Sequence, residues 1–172
     1  FRGRYYPSSY ALNEQSSDTA RGLLLLHEGK PITPDTFKWL SLYACNLWGD
    51  DKINIKARFI WVSKNFVRVM LYAKNPLKHT GWTKADSPWQ FLAACMEIRA
   101  YFKAQKEGRE FVSHLPIFID GSCNGIQHIS ALTGDEVMAK AVNLVPVEEQ
   151  QDLYGALSEI VWDKLERMKD PE

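Results

Sequence analysis

"LPIFIDGSCNGIQHIS" occupies residues 115–130 and joins an apolar run to a glycine-containing turn and a helical pattern. The run Leu115–Ile119 predicts a strand, and a single carboxylate, Asp120, follows it. Gly121 lets the backbone turn directly after that carboxylate. Residues 125–132 predict a short helix. An acid at this position can cap the following helix or bind a hard cation such as Mg²⁺, and the local pattern leaves both readings open.

The bulk composition predicts a folded chain and excludes a membrane span. The sequence has 172 residues, of which 45% are hydrophobic, so a core can form. Its longest apolar runs are short, and none approaches the roughly 20 residues that cross a bilayer, so no membrane partner is expected. The first residues, "FRGRYYPSSY", carry neither a starting methionine nor a signal-peptide pattern, and Phe1 is expected to be a cut end.

The three cysteines lie far apart, at positions 45, 95 and 123. An odd number without a C-x-x-C pair predicts neither a disulfide framework nor a zinc site. Each cysteine is expected to be reduced and to act as a small core residue.

Charge is unevenly distributed although the net charge is zero. The segment 52–84, called the basic segment below, contains no acid, whereas ten acids face four bases in residues 135–172. Aromatic residues interleave with the bases, which suggests a polyanion partner. The same spacing also fits a solvated face above an aromatic core, and apolar periodicity favours this second reading. The bases of the segment are Lys52, Lys56, Arg58, Lys64, Arg68, Lys74, Lys78 and Lys84.

Helical periodicity and end signals predict a mostly helical α+β chain with few strands. Pro34 after Thr33 suits a helix start, Gly49 suits a helix end, and Asn75-Pro76 ends another helix. Besides the short helix after Gly121, the predicted helices are Ala20 to His27, Thr33 to Gly49, Lys56 to Ala73, one opening at Ser87-Pro88 and running past Ile98, and Val147 to Met168.

Two enzyme classes place an aspartate at the end of a strand in this way. In haloacid-dehalogenase-type phosphohydrolases a second aspartate follows two residues later, where this chain has Ser122. The alternating strands and helices that this fold requires are missing as well, so the class is not favoured.

The second class shares a longer pattern. "DGSCNGIQH", residues 120–128, resembles motif A of the single-subunit DNA-dependent RNA polymerases of bacteriophages and mitochondria. Further stretches resemble the family in the same order along nearly the whole chain. They are "FRGRYY" (1–6), whose leading aspartate would lie outside the chain, "SSDTARGLLLL" (16–26) with "GKPI" (29–32), "SPWQFLAACMEI" (87–98) and "AVNLVPVEEQQDLYG" (141–155).

The resemblance implies a partial right-hand polymerase palm with the start of the fingers. Residues 1–135 would be partial palm, including motif A, and residues 136–172 the start of the helical fingers. The implied reaction is template-directed transfer of a nucleotide from an NTP to an RNA 3′ end with two Mg²⁺ ions. Asp120 matches the aspartate that binds both metals, and Gly121 matches the residue whose backbone carbonyl is a further ligand.

Other residues match family positions with roles in substrate binding. Arg2 and Arg4 match arginines that contact nucleic acid, whereas without the motif they would be surface arginines. Lys52 matches a lysine near the triphosphate, with a solvated lysine as the alternative. Tyr154 matches a tyrosine of the nucleotide site, with a core or rim tyrosine as the alternative. His128 is expected to form structural hydrogen bonds.

The implied partners are the DNA template, the RNA transcript, NTPs and the remainder of the polymerase chain. The second metal-binding aspartate and the nucleotide-binding fingers helix are expected beyond Glu172, so the isolated chain is expected to be inactive. The rival hypothesis is a non-catalytic nucleic-acid-binding module. The expected location is the cytoplasm of a phage-infected host or the mitochondrial matrix, and the spelling of the motifs favours a phage.

Overall fold

The computed structural model describes residues 5–118, 121, 123–147 and 151–169. The chain divides into two compact units, residues 1–118 and residues 119–172. This division differs from the predicted functional boundary at residue 135, which concerns palm and fingers and stays a prediction. Among the described helices, none is long and apolar enough to cross a membrane.

The first unit consists of six α-helices, a 3₁₀ turn and two short strands among its described residues. In chain order they are α1 Asp18–Gly22, β1 Lys30–Pro31, α2 Phe37–Trp48, α3 Ile55–Phe59, α4 Trp61–Lys64, α5 Phe66–Lys74, the 3₁₀ turn Thr80–Lys84, α6 Pro88–Lys106 and β2 Val112–Ser113.

Helix α6 lies at the centre of this unit and packs against α1, α2 and α5. It begins at Pro88, as the sequence predicts, because proline suits the first helical turn. Its first turn is capped from a distance: the Asp18 carboxylate accepts hydrogen bonds from the backbone N–H groups of Trp89 (2.8 Å) and Gln90 (3.2 Å). The helix buries Phe91 and Ile98 completely.

Aromatic side chains form much of the core. Phe91 lies among the rings of Trp48, Trp61 and Tyr72, with centroid distances of 5.3, 6.0 and 6.3 Å. Trp61 belongs to the basic segment, and so does Trp82, which is also buried. The aromatic periodicity of that segment therefore reflects core packing, as its helical spacing favours.

The single helix predicted from Lys56 to Ala73 is wrong, because the chain forms three helices there. The buried hydroxyl of Ser41 donates to the Arg58 carbonyl and accepts from the Val62 N–H, both at 3.1 Å. In an unbroken helix these two backbone groups would bond to each other, so the inserted hydroxyl breaks the ladder. A second break lies at Asn65. The predicted end at Asn75, before a proline, is confirmed.

Helix α2 ends at Gly49 as predicted but begins later than predicted. Residues 33–36 form a turn in which the Thr36 N–H bonds to the Thr33 carbonyl at 3.1 Å, and the helix begins at Phe37. The short helix predicted from Ala20 also differs, since α1 begins at Asp18, with Ser17 as its N-cap, and ends at Gly22.

The left-handed end of α2 allows a test of this packing. Gly49 has φ +111°, and a Cβ atom there would lie 2.7 Å from the Asp86 Oδ2 atom. We expect Gly49→Ala to lower the free energy of unfolding by about 1–2 kcal/mol in urea denaturation, because an L residue is strained at this φ and the exposed Asp86 carboxylate would have to move aside. Gly108→Ala is the matched control: its φ is +67° with open space around it, so it should cost about 1 kcal/mol. Equal losses would show that the Asp86 carboxylate moves aside at no measurable cost and that only the backbone strain is felt.

The strand predicted for Leu115–Ile119 is wrong for its described residues, 115–118, which belong to no strand. The only described pairing lies earlier, where β1 and β2 are antiparallel with Lys30 opposite Ser113. Pro116 lies within the segment predicted as a strand. It is buried in the structure, and its nitrogen carries no hydrogen to donate to a strand ladder. The apolar character of this run instead serves packing, since Leu115 and Phe118 lie against the core. The chain is therefore mostly helical with a small two-stranded sheet, consistent with α+β.

The second unit contains α7 Asn124–Thr133, α8 Glu136–Ala141 and α9 Leu153–Lys169. Helix α7 confirms the short helix predicted after the glycine-rich turn and ends at Gly134, with φ +67°. Helix α8 was not predicted. Its N-cap is Asp135, whose carboxylate accepts from the Val137 and Met138 N–H groups, both at 3.0 Å.

Helix α9 begins at Leu153 rather than at the predicted Val147. The sequence predicts an amphipathic helix here, because apolar residues recur at helical spacing. The members of this stripe that are exposed are Leu157, Ile160, Leu165 and Met168.

Candidate active site

The predicted site residues fall into two groups. Those outside the described residues are Asp120, Arg2 and Arg4, and the roles given to them stay predictions. Those that the structure describes are Gly121, Lys52 and Tyr154.

Gly121 lies directly beside the first turn of α7. A Cβ atom at this position would lie 2.5 Å from the Oδ1 atom of Asn124 and 3.8 Å from the Oε1 atom of Gln127. A side chain at position 121 would therefore collide with Asn124. The absence of a side chain allows α7 to begin close to the backbone that follows Asp120.

Cys123 turns the chain into α7 in a left-handed conformation, with φ 58° and ψ 39°. Few residues other than glycine, asparagine and aspartate adopt this conformation. The Cys123 carbonyl accepts from the N–H groups of Ile126 and Gln127, both at 3.0 Å, which starts the helix. Cys123 thus positions the start of α7 through its backbone geometry.

The three cysteines are free thiols, as predicted. Cys45 and Cys95 are buried core residues, and burial raises the pKa of the Cys45 thiol to about 12. Burial likewise raises the pKa of Cys95. Cys123 differs from the expectation for a core residue, because it is only half-buried.

Tyr154 lies in the first turn of α9. Hydrogen bonding to the Cys123 side chain and the charge of that side chain raise the pKa of Tyr154. Tyr154 is 67% exposed, so the reading of it as a core residue is wrong.

Lys52 lies in the first unit, in the exposed turn between α2 and α3. Its ammonium group has no hydrogen bond or ion pair with the described residues, which fits either a solvated lysine or a phosphate-binding one. His128 is exposed on α7, and its ring likewise has no hydrogen-bond partner in the described part of the chain. The structural bonding predicted for His128 is therefore not seen.

The donor atoms near Gly121 agree in type with a hard cation. The nearest side-chain atoms are the amide oxygens of Asn124 and Gln127, and Mg²⁺ prefers oxygen ligands. Within the described residues, no three side chains of His, Cys, Asp or Glu are grouped to hold a metal ion. A cation at this turn would therefore depend on Asp120 and on groups beyond the described part.

Sequence reasoning missed one residue near this site, Asn143. Its side-chain amide forms two hydrogen bonds with the backbone of Gln151, just before α9. Asn143 has φ 57°, and asparagine is enriched in that conformation. The sequence around Asn143 gave no signal of this role, because the partner residue, Gln151, lies eight positions away.

Comparison with known proteins agrees with the pattern of motifs. Residues 30–171 match the family model of the DNA-dependent RNA polymerases. The chain belongs to this family, which confirms the resemblance found in its sequence.

Three relatives show how widely this part of the family is shared. The chain is 42% identical over 161 residues to T7 RNA polymerase of Escherichia phage T7, covering 94% of this chain and 18% of that protein. It is 40% identical over 162 residues to the mitochondrial DNA-directed RNA polymerase of Neurospora crassa (94% and 11%). It is 40% identical over 161 residues to the chloroplastic DNA-directed RNA polymerase 3B of Nicotiana tabacum (92% and 16%).

The chain therefore spans less than a fifth of the length of each of these relatives. These relatives come from a phage, a mitochondrion and a chloroplast, which is consistent with the phage and mitochondrial locations expected from the sequence.

Proposed function

We propose that this chain is part of a DNA-directed RNA polymerase and supplies part of its catalytic centre. The observation that carries the proposal is the match of residues 30–171 to the family model of the DNA-dependent RNA polymerases, a range that contains Asp120, Gly121 and Tyr154. The resemblance assigns Asp120 and Gly121 to metal binding and Tyr154 to the nucleotide site.

The proposed reaction joins an NTP to the 3′ end of an RNA under the direction of a DNA template. The RNA 3′ oxygen forms a bond to the α-phosphorus of the NTP, and the bond to the departing pyrophosphate breaks. Two Mg²⁺ ions, when bound, would align these oxygens and neutralise their charge. Asp120 would hold them through its carboxylate and Gly121 through its backbone carbonyl.

The chain's own residues have defined tasks in this proposal. Asp120 has to stay ionised to hold the metal ions. Tyr154 lines the nucleotide site, Lys52 binds the triphosphate, and Arg2 and Arg4 bind nucleic-acid phosphates, which suit the forked guanidinium donors. Residues 1–135 form part of the palm and residues 136–172 the start of the fingers.

The isolated chain is proposed to be inactive. The family motif that supplies a second metal-binding aspartate has no match between residues 1 and 172, and one carboxylate does not hold two ions in the required geometry. The test is therefore made on the intact polymerase that contains this chain. It should incorporate NTPs only with a DNA template and Mg²⁺, and incorporation independent of either would contradict the proposal.

A specific observation also favours nucleic-acid binding by the basic segment. Its lysines are exposed, and both described ion pairs lie elsewhere, on Glu107. Because no acid lies within residues 52–84, these charges are available to a polyanion. A non-catalytic nucleic-acid-binding module would need only this surface and not the turn at Gly121.

The salt dependence of DNA binding tests this surface. We expect the triple variant Lys64→Gln, Lys74→Gln, Lys78→Gln to reduce the slope of log Kobs against log salt by up to about 3, since each phosphate contact contributes about 0.9. The matched control replaces three exposed lysines outside the basic segment, Lys103, Lys106 and Lys140, and should leave the slope unchanged. Equal slopes for the two variants and the parent would identify the basic segment as an ordinary solvated face.

A further inference from the structure

The turn between α2 and α3 is fixed at its start, where Asp50 makes three hydrogen bonds. The Asp50 N–H donates to the Cys45 carbonyl at 3.2 Å, and the Cys45 thiol donates to the Asp50 carbonyl at 3.4 Å. The indole N–H of Trp61 donates to the Oδ2 atom of Asp50 at 2.7 Å. The backbone of Asp50 is therefore held by α2, and its carboxylate is held by α4.

The same turn is fixed at its end by the start of α3. The Asn54 side chain caps α3 by accepting from the Lys56 N–H at 2.8 Å. Helix α3 is tied back to α2, since the Arg58 guanidinium donates to the Oδ1 atom of Asn46 at 3.2 Å. Lys52 lies midway in this turn, so a confined backbone carries an exposed ammonium group.

Trp61 is a rigid donor because the core surrounds it. The residue is 5% exposed, and its ring centroid lies 6.2 Å from that of Trp48 and 6.0 Å from that of Phe91. An indole has one donor and no acceptor, so its buried N–H requires an acceptor. A bond to a carboxylate is charge-assisted and therefore stronger than a bond between neutral groups. The Asp50 carboxylate is thus held firmly at Trp61.

Without this bond the Asp50 carboxylate would compete for Lys52. One residue separates the two, so their Cα atoms lie at most roughly 7.6 Å apart, within reach of the four-carbon stem of a lysine. Among the described residues the Lys52 ammonium nonetheless has no ion pair, because the carboxylate contacts Trp61 instead. The indole therefore keeps a negative charge out of contact with the ammonium.

We propose that Trp61 and Asp50 are positioning residues that keep the Lys52 ammonium unpaired and available to the triphosphate of an NTP. Trp61 acts by occupying the carboxylate, and Asp50 acts by anchoring the turn. Neither residue touches the nucleotide in this proposal. The inference rests on the proposed function, in which Lys52 binds the triphosphate.

Kinetics of the intact polymerase test this role through a rescue. We expect Trp61→Phe to raise the KM for NTPs by about three- to fivefold, because the released carboxylate pairs with Lys52 and an exposed ion pair has about this effect. The value of kcat should change by less than about twofold, since the loss concerns binding. Adding Asp50→Asn to Trp61→Phe removes the competing charge and should return the KM to within about twofold of the parent. A merely structural role of Trp61 would leave the double variant as impaired as Trp61→Phe alone.

Trp82→Phe is the matched control. Trp82 is also buried in the first unit, but its indole N–H donates to the Pro76 carbonyl, at 3.0 Å, and not to a carboxylate. This variant should leave the KM and kcat unchanged. The thermal midpoints of the two phenylalanine variants show whether a rise in KM follows from a general loss of stability.

A variant in the turn tests the same idea if Trp61→Phe fails to fold. Asp50→Glu keeps the charge but adds a methylene group, which displaces the carboxylate from a contact of 2.7 Å with the indole. It should raise the KM more than Asp50→Gln, which has the same length and no charge. Asp51, exposed beside Lys52, keeps its charge in every variant and therefore does not affect the comparison.

Three results would overturn the inference: an unchanged KM in Trp61→Phe, a raised KM that Asp50→Asn does not reverse, or equal KM values for Asp50→Glu and Asp50→Gln. Failure of the proposed role of Lys52 has a different sign, namely an unchanged KM after Lys52→Met. If Lys52→Met raises the KM and Trp61→Phe does not, the inference fails and the proposed function stands.

Discussion

Asp120→Asn is expected to reduce templated NTP incorporation by the intact polymerase by at least about 10²–10³-fold. Removing one electrostatic group from an active site costs about this much, and a ligand shared by two metal ions should cost no less. The replacement has nearly the same shape but no charge, so binding of the template should persist with its salt sensitivity unchanged. The measurement is incorporation at saturating Mg²⁺ together with DNA affinity.

The choice of asparagine separates the two roles open to Asp120. Asparagine caps a helix about as well as aspartate. If Asp120 only capped α7, the Asp120→Asn variant would therefore stay active. Asp135→Asn is the matched control: Asp135 caps α8 by accepting from the Val137 and Met138 N–H groups, and its replacement should leave incorporation near that of the parent. Near-normal activity of Asp120→Asn would remove the metal role and favour the non-catalytic binding module.

Phe91→Ala is expected to lower the free energy of unfolding by about 3–5 kcal/mol, the range found when a large aromatic is removed from a core. Phe91 is 0% exposed, and its ring contacts those of Trp48, Trp61 and Tyr72. Neighbouring rings held by three helices cannot all move into the space, so a cavity remains. Urea denaturation monitored by tryptophan fluorescence measures the loss.

Met96→Ala is the control for this prediction, because Met96 lies on the same helix but is 45% exposed. It should cost less than about 1 kcal/mol, as surface substitutions usually do. If the two variants lost equal stability, Phe91 would not be the centre of the core.

Local signals predicted those elements whose causes are local. Ser87-Pro88 marked the start of α6, Gly49 marked the end of α2, and Asn75-Pro76 marked the end of α5, because each acts on its own backbone. The breaks between α3 and α5 could not be read in this way. The hydroxyl of Ser41, on another helix, causes the first of them, and it lies 21 residues from Val62.

The strand that failed shows a different limit. Apolar runs of this length suit a strand or a buried irregular segment, and periodicity does not separate the two. Pro116 was the available signal, since a residue without an N–H weakens a central strand.

The candidate site was predicted in part for similar reasons. Gly121 and Tyr154 were found because they lie in recognisable motifs. Asn143 was missed because its role depends on where Gln151 lies, which only the fold determines. Placement of Asp120 itself stays a prediction.

The long-range cap of α6 has a consequence for the order of folding. Asp18 and Trp89 lie 71 residues apart in sequence, and closing a loop of that length carries an entropic cost that local helix formation does not. The central helix can therefore form by itself, but its first turn keeps unsatisfied N–H groups until the segment around α1 arrives. During synthesis on a ribosome, Asp18 emerges before Trp89 and Gln90, the residues whose N–H groups it accepts from. The hydrogen bonds between Asp18 and the start of α6 are therefore expected to form last in this unit.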